Sequence, residues 1–289
     1  MKTLSQAQEI ERSISKRFKS TIWTKFINAL KSYSLVNDGD KIAVCISGGK
    51  DSMLLAKLMQ MLKKHSKTNF ELVFLCMDPG YRKENRDQIE QNAKLLEIPI
   101  EFFETNIFDS VKNIEKSPCY LCARMRRGHL YSEAQKRRCN KIALGHHFSD
   151  VIETTIMAMF YGAQLQAMPP KLLSKNFEGM ELIRPLYCIN EEDIIAWKDA
   201  NNLKFLQCAC RFTENCDIDE NEISPSARVQ VKNLLKKLKK TNPEIEQHIF
   251  SAIHNVNLDT FVGIKEDGIY HDFNEIFENK KLKKTIKND

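Results

Sequence analysis

The stretch "CISGGKDSML", Cys45 to Leu54, joins an apolar strand pattern to a helical pattern. Two adjacent glycines, a lysine, an aspartate and two serines lie at this junction. Bare glycine backbone lets N–H groups approach phosphate oxygens, and the dipole of the following helix favours a bound anion. The same residue types also form ordinary capped turns, so two glycines alone are weak evidence. The complete string predicts a phosphate-binding loop.

Strand and helix patterns alternate around this loop. The apolar runs "KIAVCI", "FELVFLCMD", "IPIEFFE" and "KIALG" predict strands, and helical spacing separates them over Met53 to Lys64, 86–97 and 150–161. "ELIRPL" and "KFLQC" are further strand-like pieces. This alternation predicts an α/β fold with an open, mostly parallel sheet flanked by helices on both faces. In such sheets ligands bind at the carboxyl ends of the strands, where the glycine loop lies.

The chain divides by pattern into four regions. We expect an N-terminal helical segment over 1–36, because apolar residues recur at helical spacing from Ile10 to Leu30. The catalytic α/β domain is predicted over 37–215, and a helical C-terminal region with a basic face over 216–262. Residues 263–289 end in "NKKLKKTIKND" and predict a flexible basic tail.

Composition limits the class of protein. The chain has 289 residues, of which 42% are hydrophobic, enough for a sizeable core in one or two domains. No apolar run approaches the ~18 residues of a membrane span, and the polar N-terminus lacks a signal-peptide core. We therefore expect a cytoplasmic protein with no membrane partner. Its net charge of +6 favours a polyanionic partner such as nucleic acid.

The chain contains nine cysteines, which a reducing compartment would keep as thiols or metal ligands. Cys45, Cys76 and Cys139 lie in or beside structural runs and are expected in the core. Cys119 and Cys122 form a C-x-x-C pair, which is compatible with zinc, an iron–sulfur cluster or redox chemistry. Further ligand candidates, Cys208 and Cys210, lie far along the chain.

Several motifs together resemble a known family. "SGGKDS" lacks the P-loop spacing G-x-x-x-x-G-K-S/T but matches S-G-G-x-D-S, the PP-loop of the N-type ATP pyrophosphatases. "PCYLCARMRRGHLY", "KIALGHHFSDVIETTIMAMFYG", "MPPKLLS" and "IRPLY" follow in order. Within the PP-loop group these motifs resemble the tRNA 2-thiocytidine synthetase family, from about residue 15 to about residue 256.

The resemblance implies a fold, a reaction and its components. The fold is Rossmann-like, of the adenine nucleotide α-hydrolase type. The reaction is an ATP-dependent thiolation of cytidine 32 in the tRNA anticodon loop, in which C2 is adenylated and its oxygen is replaced by sulfur. The implied cofactors are ATP, Mg²⁺ and a 4Fe–4S cluster. The implied partners are tRNA, a cysteine desulfurase or another sulfide or persulfide donor, and a second copy in a homodimer.

The resemblance also assigns residues. The nucleotide site comprises Ser47, Gly48, Gly49, Lys50, Asp51, Ser52 and Gly145. The catalytic candidates are Asp51, His146 and Asp150. Arg124, Arg126 and Arg127 follow the cysteine pair, and from this position we expect them to contact the tRNA backbone or to stabilise negative charge near the cluster. The cluster ligands are Cys119, Cys122 and either Cys208 or Cys210, because the family's downstream C-x-x-C is C-x-C in this chain. In a second departure from the family, Ser149 replaces an aspartate before Asp150.

Each assignment competes with a simpler interpretation. Asp150 could only cap its helix, the histidines could be structural, and each arginine could lie on a solvated helix face. The lysines of "VKNLLKKLKK" more often form a surface helix than an RNA site. The alternative functions are a PP-loop uridine thiolase, an adenylating enzyme with structural zinc, and a non-catalytic nucleotide sensor. Uridine thiolases typically carry N-terminal C-x-x-C pairs, whereas this chain has no cysteine before Cys45.

Overall fold

The computed structural model describes residues 4–108, 118–206 and 226–286. The chain forms two compact units, with the boundary between Lys236 and Lys237. The first unit contains a six-stranded sheet, and the second contains a two-stranded hairpin. None of the helices in the described ranges is long and apolar enough to cross a membrane.

The helices are distributed over both units. Their bounds are α1 Gln6–Ser15, α2 Thr24–Ser32, α3 Lys50–His65, α4 Lys83–Leu95, α5 Pro118–Lys136, α6 Phe148–Gly162, α7 Glu191–Ala200, α8 Ala227–Thr241, α9 Ile245–Ala252 and α10 Phe273–Ile286. The N-terminal helical pattern becomes two helices, α1 and α2, joined by a π-helical turn at Lys19–Trp23. Ile10, Ile14, Ile22 and Phe26 are fully buried along this segment.

The large sheet has parallel strands at its centre. Its strands are β1 Lys41–Ile46, β2 Glu71–Asp78, β3 Ile100–Glu104, β4 Lys141–Ala143, β5 Lys171–Leu173 and β6 Glu181–Ile183. The spatial order is β3-β2-β1-β4-β6-β5, and every neighbouring pair is parallel except β5 with β6. The prediction of an open, mostly parallel sheet flanked by helices is confirmed.

The central strand β1 is buried on both faces, which explains its uninterrupted apolar sequence. Because side chains alternate along a strand, Ile42 and Val44 pack in one cluster with residues of α3. Ala43 and Cys45 face the other way and pack in a second cluster with Tyr131 of α5. The two helices therefore cover opposite faces of the same strand, and β1 carries the loop that follows it in a rigid position.

The sheet edge departs from the sequence prediction. "ELIRPL" forms a strand only over Glu181–Ile183, and "MPPKLL" contributes the short antiparallel strand β5. The described part of "KFLQC" is not a strand, so that expectation is wrong as far as Leu206. Its backbone pairs with other groups: the Leu206 N–H donates to Gly48 O at 3.2 Å, and Asn92 Nδ2 donates to Lys204 O at 2.9 Å.

The C-terminal residues contain more secondary structure than the predicted flexible tail. Strands β7 Gly263–Glu266 and β8 Ile269–Asp272 form a hairpin that is followed by α10. The connecting Asp267 and Gly268 both have positive φ, at 48° and 86°. Asp-Gly at that position is a strong hairpin signal, which the basic composition of the segment obscured. The predicted domain boundaries stay a prediction.

The order of the strands creates a crevice beside β1. The chain passes from β1 to β2 on one side of the sheet, whereas β4 is added on the other side of β1. In an open α/β sheet such a reversal separates the loops at the carboxyl ends of the two strands and forms a ligand site. The loop after β1 and the loop after β4 flank this crevice.

Candidate functional site

The loop after β1 is held by its own hydroxyl groups. The backbone N–H and the Oγ of Ser47 lie 3.1 and 3.2 Å from Ser52 Oγ, and Ser52 Oγ donates to Gly49 O at 3.0 Å. Gly49 caps α3 with extended backbone and without a side-chain hydrogen bond. The buried Ser52 hydroxyl therefore shapes the loop, while the first N–H groups of α3 remain available to a ligand.

Gly48 is required by conformation and by space. Its φ is +84°, a region that residues with a Cβ rarely adopt. A Cβ at this position would lie 2.6 Å from Ile89 Cγ1 and 3.0 Å from Leu206 Cδ1. The loop is thus enclosed by a helix on one side and by the 203–206 segment on the other.

Gly145 joins the two loops of the crevice. It follows β4 by two residues, and a Cβ on it would lie 3.1 Å from both the Asp51 carbonyl carbon and the Ser52 nitrogen. A side chain here would therefore be closer to backbone atoms than ordinary van der Waals contact, so only glycine lets the two loops lie this close together. This approach brings the residues after Gly145 beside the first turn of α3, as the nucleotide-site prediction requires.

Lys50 and Asp51 form the polar centre of the crevice. Lys50 Nζ lies 3.2 Å from Asp51 Oδ2 and 3.1 Å from Glu191 Oε1. Asp51 Oδ1 is buried and has no hydrogen-bond partner among the described residues. An unsatisfied buried carboxylate oxygen is costly, and an oxygen donor at a phosphate site suits Mg²⁺. One carboxylate is sufficient, because Mg²⁺ at such sites takes its other ligands from phosphate and water.

His147 lies between two of the predicted catalytic carboxylates. Its Nε2 is 3.8 Å from Asp51 Oδ1 and 3.5 Å from Asp150 Oδ2. Its Nδ1 accepts from the Asp150 N–H at 3.4 Å, while Asp150 Oδ2 accepts from the His147 N–H at 3.1 Å. The buried His147 is therefore the reciprocal cap of α6 and the histidine nearest Asp51. From the sequence we expected the catalytic histidine to be His146, the residue before His147.

His146 occupies a different environment. Its Nδ1 is buried and has no hydrogen-bond partner within the described part of the chain. Burial lowers the pKa of His146 to about 4, and the nearby charge of Arg184 acts in the same direction. His146 is therefore neutral at physiological pH. Arg184 is itself buried, and burial lowers its pKa to about 10.

Asp150 has two structural partners. It completes the cap of α6, and its Oδ1 lies 2.9 Å from an NH1 atom of Arg228. The same guanidinium nitrogen lies 3.2 Å from Glu153 Oε2, whose carboxyl group is buried and has a raised pKa because of that burial. The N-cap of α6 is therefore His147, and Asp150 completes the capping box from the third helical position while also lying beside the His147 ring.

Glu191 begins α7 and bridges two lysines. Its Oε1 contacts Lys50, and its Oε2 contacts Lys232 Nζ at 2.6 Å. Burial opposes ionisation of this carboxyl group, but hydrogen bonds and charge from Lys232 and Lys50 outweigh burial and lower the pKa of Glu191 to about 2. Glu191 belongs to no motif in the sequence, and the basic helical pattern around Lys232 predicted that this lysine lies on a surface helix. Contacts across 141 and 41 residues bring these groups together.

The cysteine motif lies on α5. Cys119 and Cys122 are three residues apart in the sequence, and both lie within this helix. Cys122 is buried in a cluster with Met77, Ile107 and Phe108. Cys208 and Cys210 lie outside the described residues, and among the described residues no group of three His, Cys, Asp or Glu side chains could hold a metal. The three-cysteine ligand set stays a prediction.

The three arginines of α5 differ in exposure. Arg124 and Arg127 are exposed, whereas Arg126 is half-buried. The charge of Arg126 opposes the burial that raises the pKa of Tyr81 to about 12, and Arg127 acts on the buried Arg184. Arg126 therefore lies near the carboxyl end of β2, and Arg127 lies nearer the loop after β6. Their predicted contact with tRNA stays a prediction.

The chain matches the PP-loop domain family over residues 16–212. It is 35% identical over 247 residues to a tRNA-cytidine(32) 2-sulfurtransferase of Geotalea uraniireducens, covering 84% of this chain and 94% of that protein. The corresponding protein of Geotalea daltonii is 36% identical over 251 residues, covering 86% and 94%. That of Francisella tularensis is 31% identical over 274 residues, covering 90% and 97%.

A solved structure has the same fold. The U34-tRNA thiolase of Methanococcus maripaludis, determined with its 4Fe–4S cluster, superposes with a TM-score of 0.63. The match covers 84% of this chain and 80% of that protein at 21% sequence identity. At this identity the likeness supports the architecture of the sheet and its flanking helices.

Proposed function

The chain belongs to the PP-loop domain family and, within it, to the tRNA-cytidine(32) 2-sulfurtransferases; from this membership and the crevice geometry we propose its reaction. The enzyme uses ATP to replace the C2 oxygen of cytidine 32 in tRNA by sulfur. The products are 2-thiocytidine in the tRNA, AMP and pyrophosphate. The enzyme acts as a homodimer in the cytoplasm, where its tRNA substrate is found.

The observation that carries this proposal is the polar centre of the crevice. The loop after β1 leaves the N–H groups at the start of α3 available to a ligand. Asp51 Oδ1 is buried without a hydrogen-bond partner among the described residues. Phosphates on these N–H groups and Mg²⁺ on Asp51 would satisfy both. Lys50 is held beside them and adds positive charge.

The first chemical step is adenylation of the base. The C2 oxygen of the cytosine attacks the α-phosphorus of ATP, and the bond to pyrophosphate breaks. The loop N–H groups and Lys50 stabilise the charge that develops on the departing phosphates. A base in an RNA loop can leave its stack and enter a pocket, so an anticodon-loop cytosine can reach the crevice. Arg124, Arg126 and Arg127 would contact the RNA backbone.

The second step replaces the activated oxygen. Sulfide attacks C2, and AMP leaves with the former C2 oxygen. If the donor is a persulfide, such as that on a cysteine desulfurase, a thiol first attacks its inner sulfur, forms a disulfide with it and releases sulfide. Cys119, Cys122 and either Cys208 or Cys210 would hold a 4Fe–4S cluster, and the i, i+3 placement of the first two on α5 suits a common metal centre. Such a cluster, with fewer cysteine ligands than irons, would be able to carry the sulfur to the activated base.

The proposal is tested with the full chain, purified and reconstituted without oxygen. The assay contains unmodified tRNA with cytidine at position 32, MgATP and sulfide. We expect 2-thiocytidine, identified by mass spectrometry of the digested tRNA, and an equal amount of AMP. A thiolated uridine at position 34 would assign the chain to the alternative reaction of the structural neighbour. Absence of any thiolated nucleoside from cluster-loaded protein would reject the proposal.

A further inference from the structure

Helix α8 presents two basic side chains to the crevice. Arg228 and Lys232 are four residues apart and therefore lie on one face of the helix. Arg228 contacts Asp150 and Glu153, and Lys232 contacts Glu191. Lys232 reaches the loop after β1 through Glu191, which also contacts Lys50, and Arg228 holds two carboxylates in the first turns of α6.

These contacts form one connected set of charges. Lys50 Nζ is shared between Asp51 Oδ2 and Glu191 Oε1 at 3.2 and 3.1 Å, whereas Lys232 Nζ lies 2.6 Å from Glu191 Oε2. A short charge-assisted hydrogen bond is stronger than a longer shared one. Glu191 therefore has its tighter contact with Lys232 and its looser one with Lys50. The side chains of Lys50 and Glu191 are only 23% and 19% exposed, so solvent screens this pair incompletely.

We propose that Lys232 is a positioning residue of the nucleotide site: it neutralises Glu191 and thereby leaves Lys50 free to move onto the phosphates of ATP. This inference rests on the proposed use of ATP at Ser47 to Ser52. Without Lys232, Lys50 would be the remaining cation on Glu191 in this set of contacts. A lysine held by two carboxylates is a poor phosphate ligand, because phosphate must then compete with both of them.

The two ends of helix α8 have different surroundings. Its first turns, with Arg228 and Lys232, belong to the nucleotide site, although the sequence pattern of the helix resembles a solvated basic surface. Lys236, one turn farther along, is exposed. A purely mechanical role of Lys232 would instead be to attach the first turns of α8 to the start of α7 through Glu191, and the two roles predict different behaviour in a double variant.

The experiment measures binding of MgATP to the full-length chain by equilibrium dialysis in the absence of tRNA. We expect Lys232→Met to weaken binding about tenfold, which corresponds to the loss of one hydrogen bond between charged groups. Lys236→Met should change binding less than about twofold. Glu191→Gln releases Lys50, so Lys232→Met combined with Glu191→Gln should bind within about threefold of the wild type. Thermal unfolding of each variant identifies any that fail to fold.

The rescue decides between the two roles. If the double variant binds MgATP as poorly as Lys232→Met or worse, or if Lys232→Met binds like the wild type, the inference is wrong. A mechanical role predicts the first of these results, because the double variant also lacks the contact that docks α8. Failure of the thiolation assay with normal MgATP binding would reject the proposed function and not the role of Lys232.

Discussion

The nucleotide loop and the cysteine helix α5 are organised differently. The loop is six consecutive residues, Ser47 to Ser52, and its shape is maintained by hydrogen bonds among those residues. The cysteine motif contributes Cys119 and Cys122 from α5, and the predicted third ligand, Cys208 or Cys210, lies more than eighty residues farther along the chain. The loop is complete in one place, whereas the cysteine site has to be assembled.

This difference predicts that the two sites can be damaged separately. Substitution in the loop should abolish ATP chemistry and leave the metal content intact. Substitution in the cysteine motif should have the opposite effect. The loop also contacts residues far away in the sequence, such as Gly145 and Glu191. Substitutions at such residues should weaken ATP binding although the loop sequence is unchanged.

The largest effect is expected from the cysteines. Cys119→Ala and Cys122→Ala should reduce iron from about four atoms per chain to near zero and abolish thiolation, since each removes a ligand of a three-cysteine cluster. MgATP binding should stay within about twofold of the wild type, because neither residue lies at the loop. The measurements are iron, sulfide and zinc content after anaerobic purification and reconstitution.

Three further variants complete this test. Cys188→Ala is the matched control, because Cys188 is half-buried and belongs to none of the predicted motifs. Of Cys208→Ala and Cys210→Ala, only one should lose iron, which identifies the third ligand. Stoichiometric zinc without iron in the reconstituted wild type would contradict the cluster assignment and favour a structural metal.

Asp51→Asn is expected to have the opposite effect: ATP chemistry is lost and the metal content is kept. Asparagine keeps the shape of the side chain but removes the charge that the buried Oδ1 would offer to Mg²⁺. We expect tRNA-dependent pyrophosphate release to fall at least about 100-fold, the usual cost of removing a group that stabilises transition-state charge. Iron content should be unchanged. Asp87→Asn, at an exposed site on α4, should retain activity. Equal losses in both variants would contradict the assignment.

An intermediate effect is expected from Gly145→Ala. The new Cβ would lie 3.1 Å from backbone atoms of Asp51 and Ser52, which cannot turn away as a side chain can. We expect about tenfold weaker MgATP binding and a moderately lower melting temperature, the typical result of overpacking. Gly128→Ala is the control, since its Cβ has open space and alanine favours a helix. Normal MgATP binding by Gly145→Ala would show that the two loops are coupled loosely.

The smallest effect concerns His146 and pH. Its pKa falls from 6.5 to about 4 on folding, so between these values the unfolded chain binds more protons than the folded one. Its contribution to stability is therefore complete above about pH 6.5 and is lost as the pH falls toward about 4. His146→Gln should show a shallower decrease in melting temperature between about pH 7 and pH 5 than the wild type. His129→Gln, at an exposed site on α5, should match the wild type.

Features that depend on neighbouring residues were accessible from the sequence. The apolar run of β1 and the helical spacing after it located the strand, the loop and α3. The pattern also placed Gly145, because the strand that precedes it is a short apolar run. Two local signals were misjudged. Asp267-Gly268 marked a hairpin in the predicted tail, and "KFLQC" is strand-like in composition although its described part, as far as Leu206, bonds to Gly48 and Asn92.

Strands β1 to β4 with the helices between them, the glycine loop at Ser47 to Ser52 and the cysteine pair of α5 could be predicted from the sequence. These follow from periodicity and from residues within one turn or strand of each other. Two features are visible only once the chain has folded: His147 is the histidine beside Asp51, and Glu191 bridges Lys50 to Lys232. Ion pairs between residues far apart in the chain leave no periodic signal, because their geometry exists only after the sheet and helices have packed.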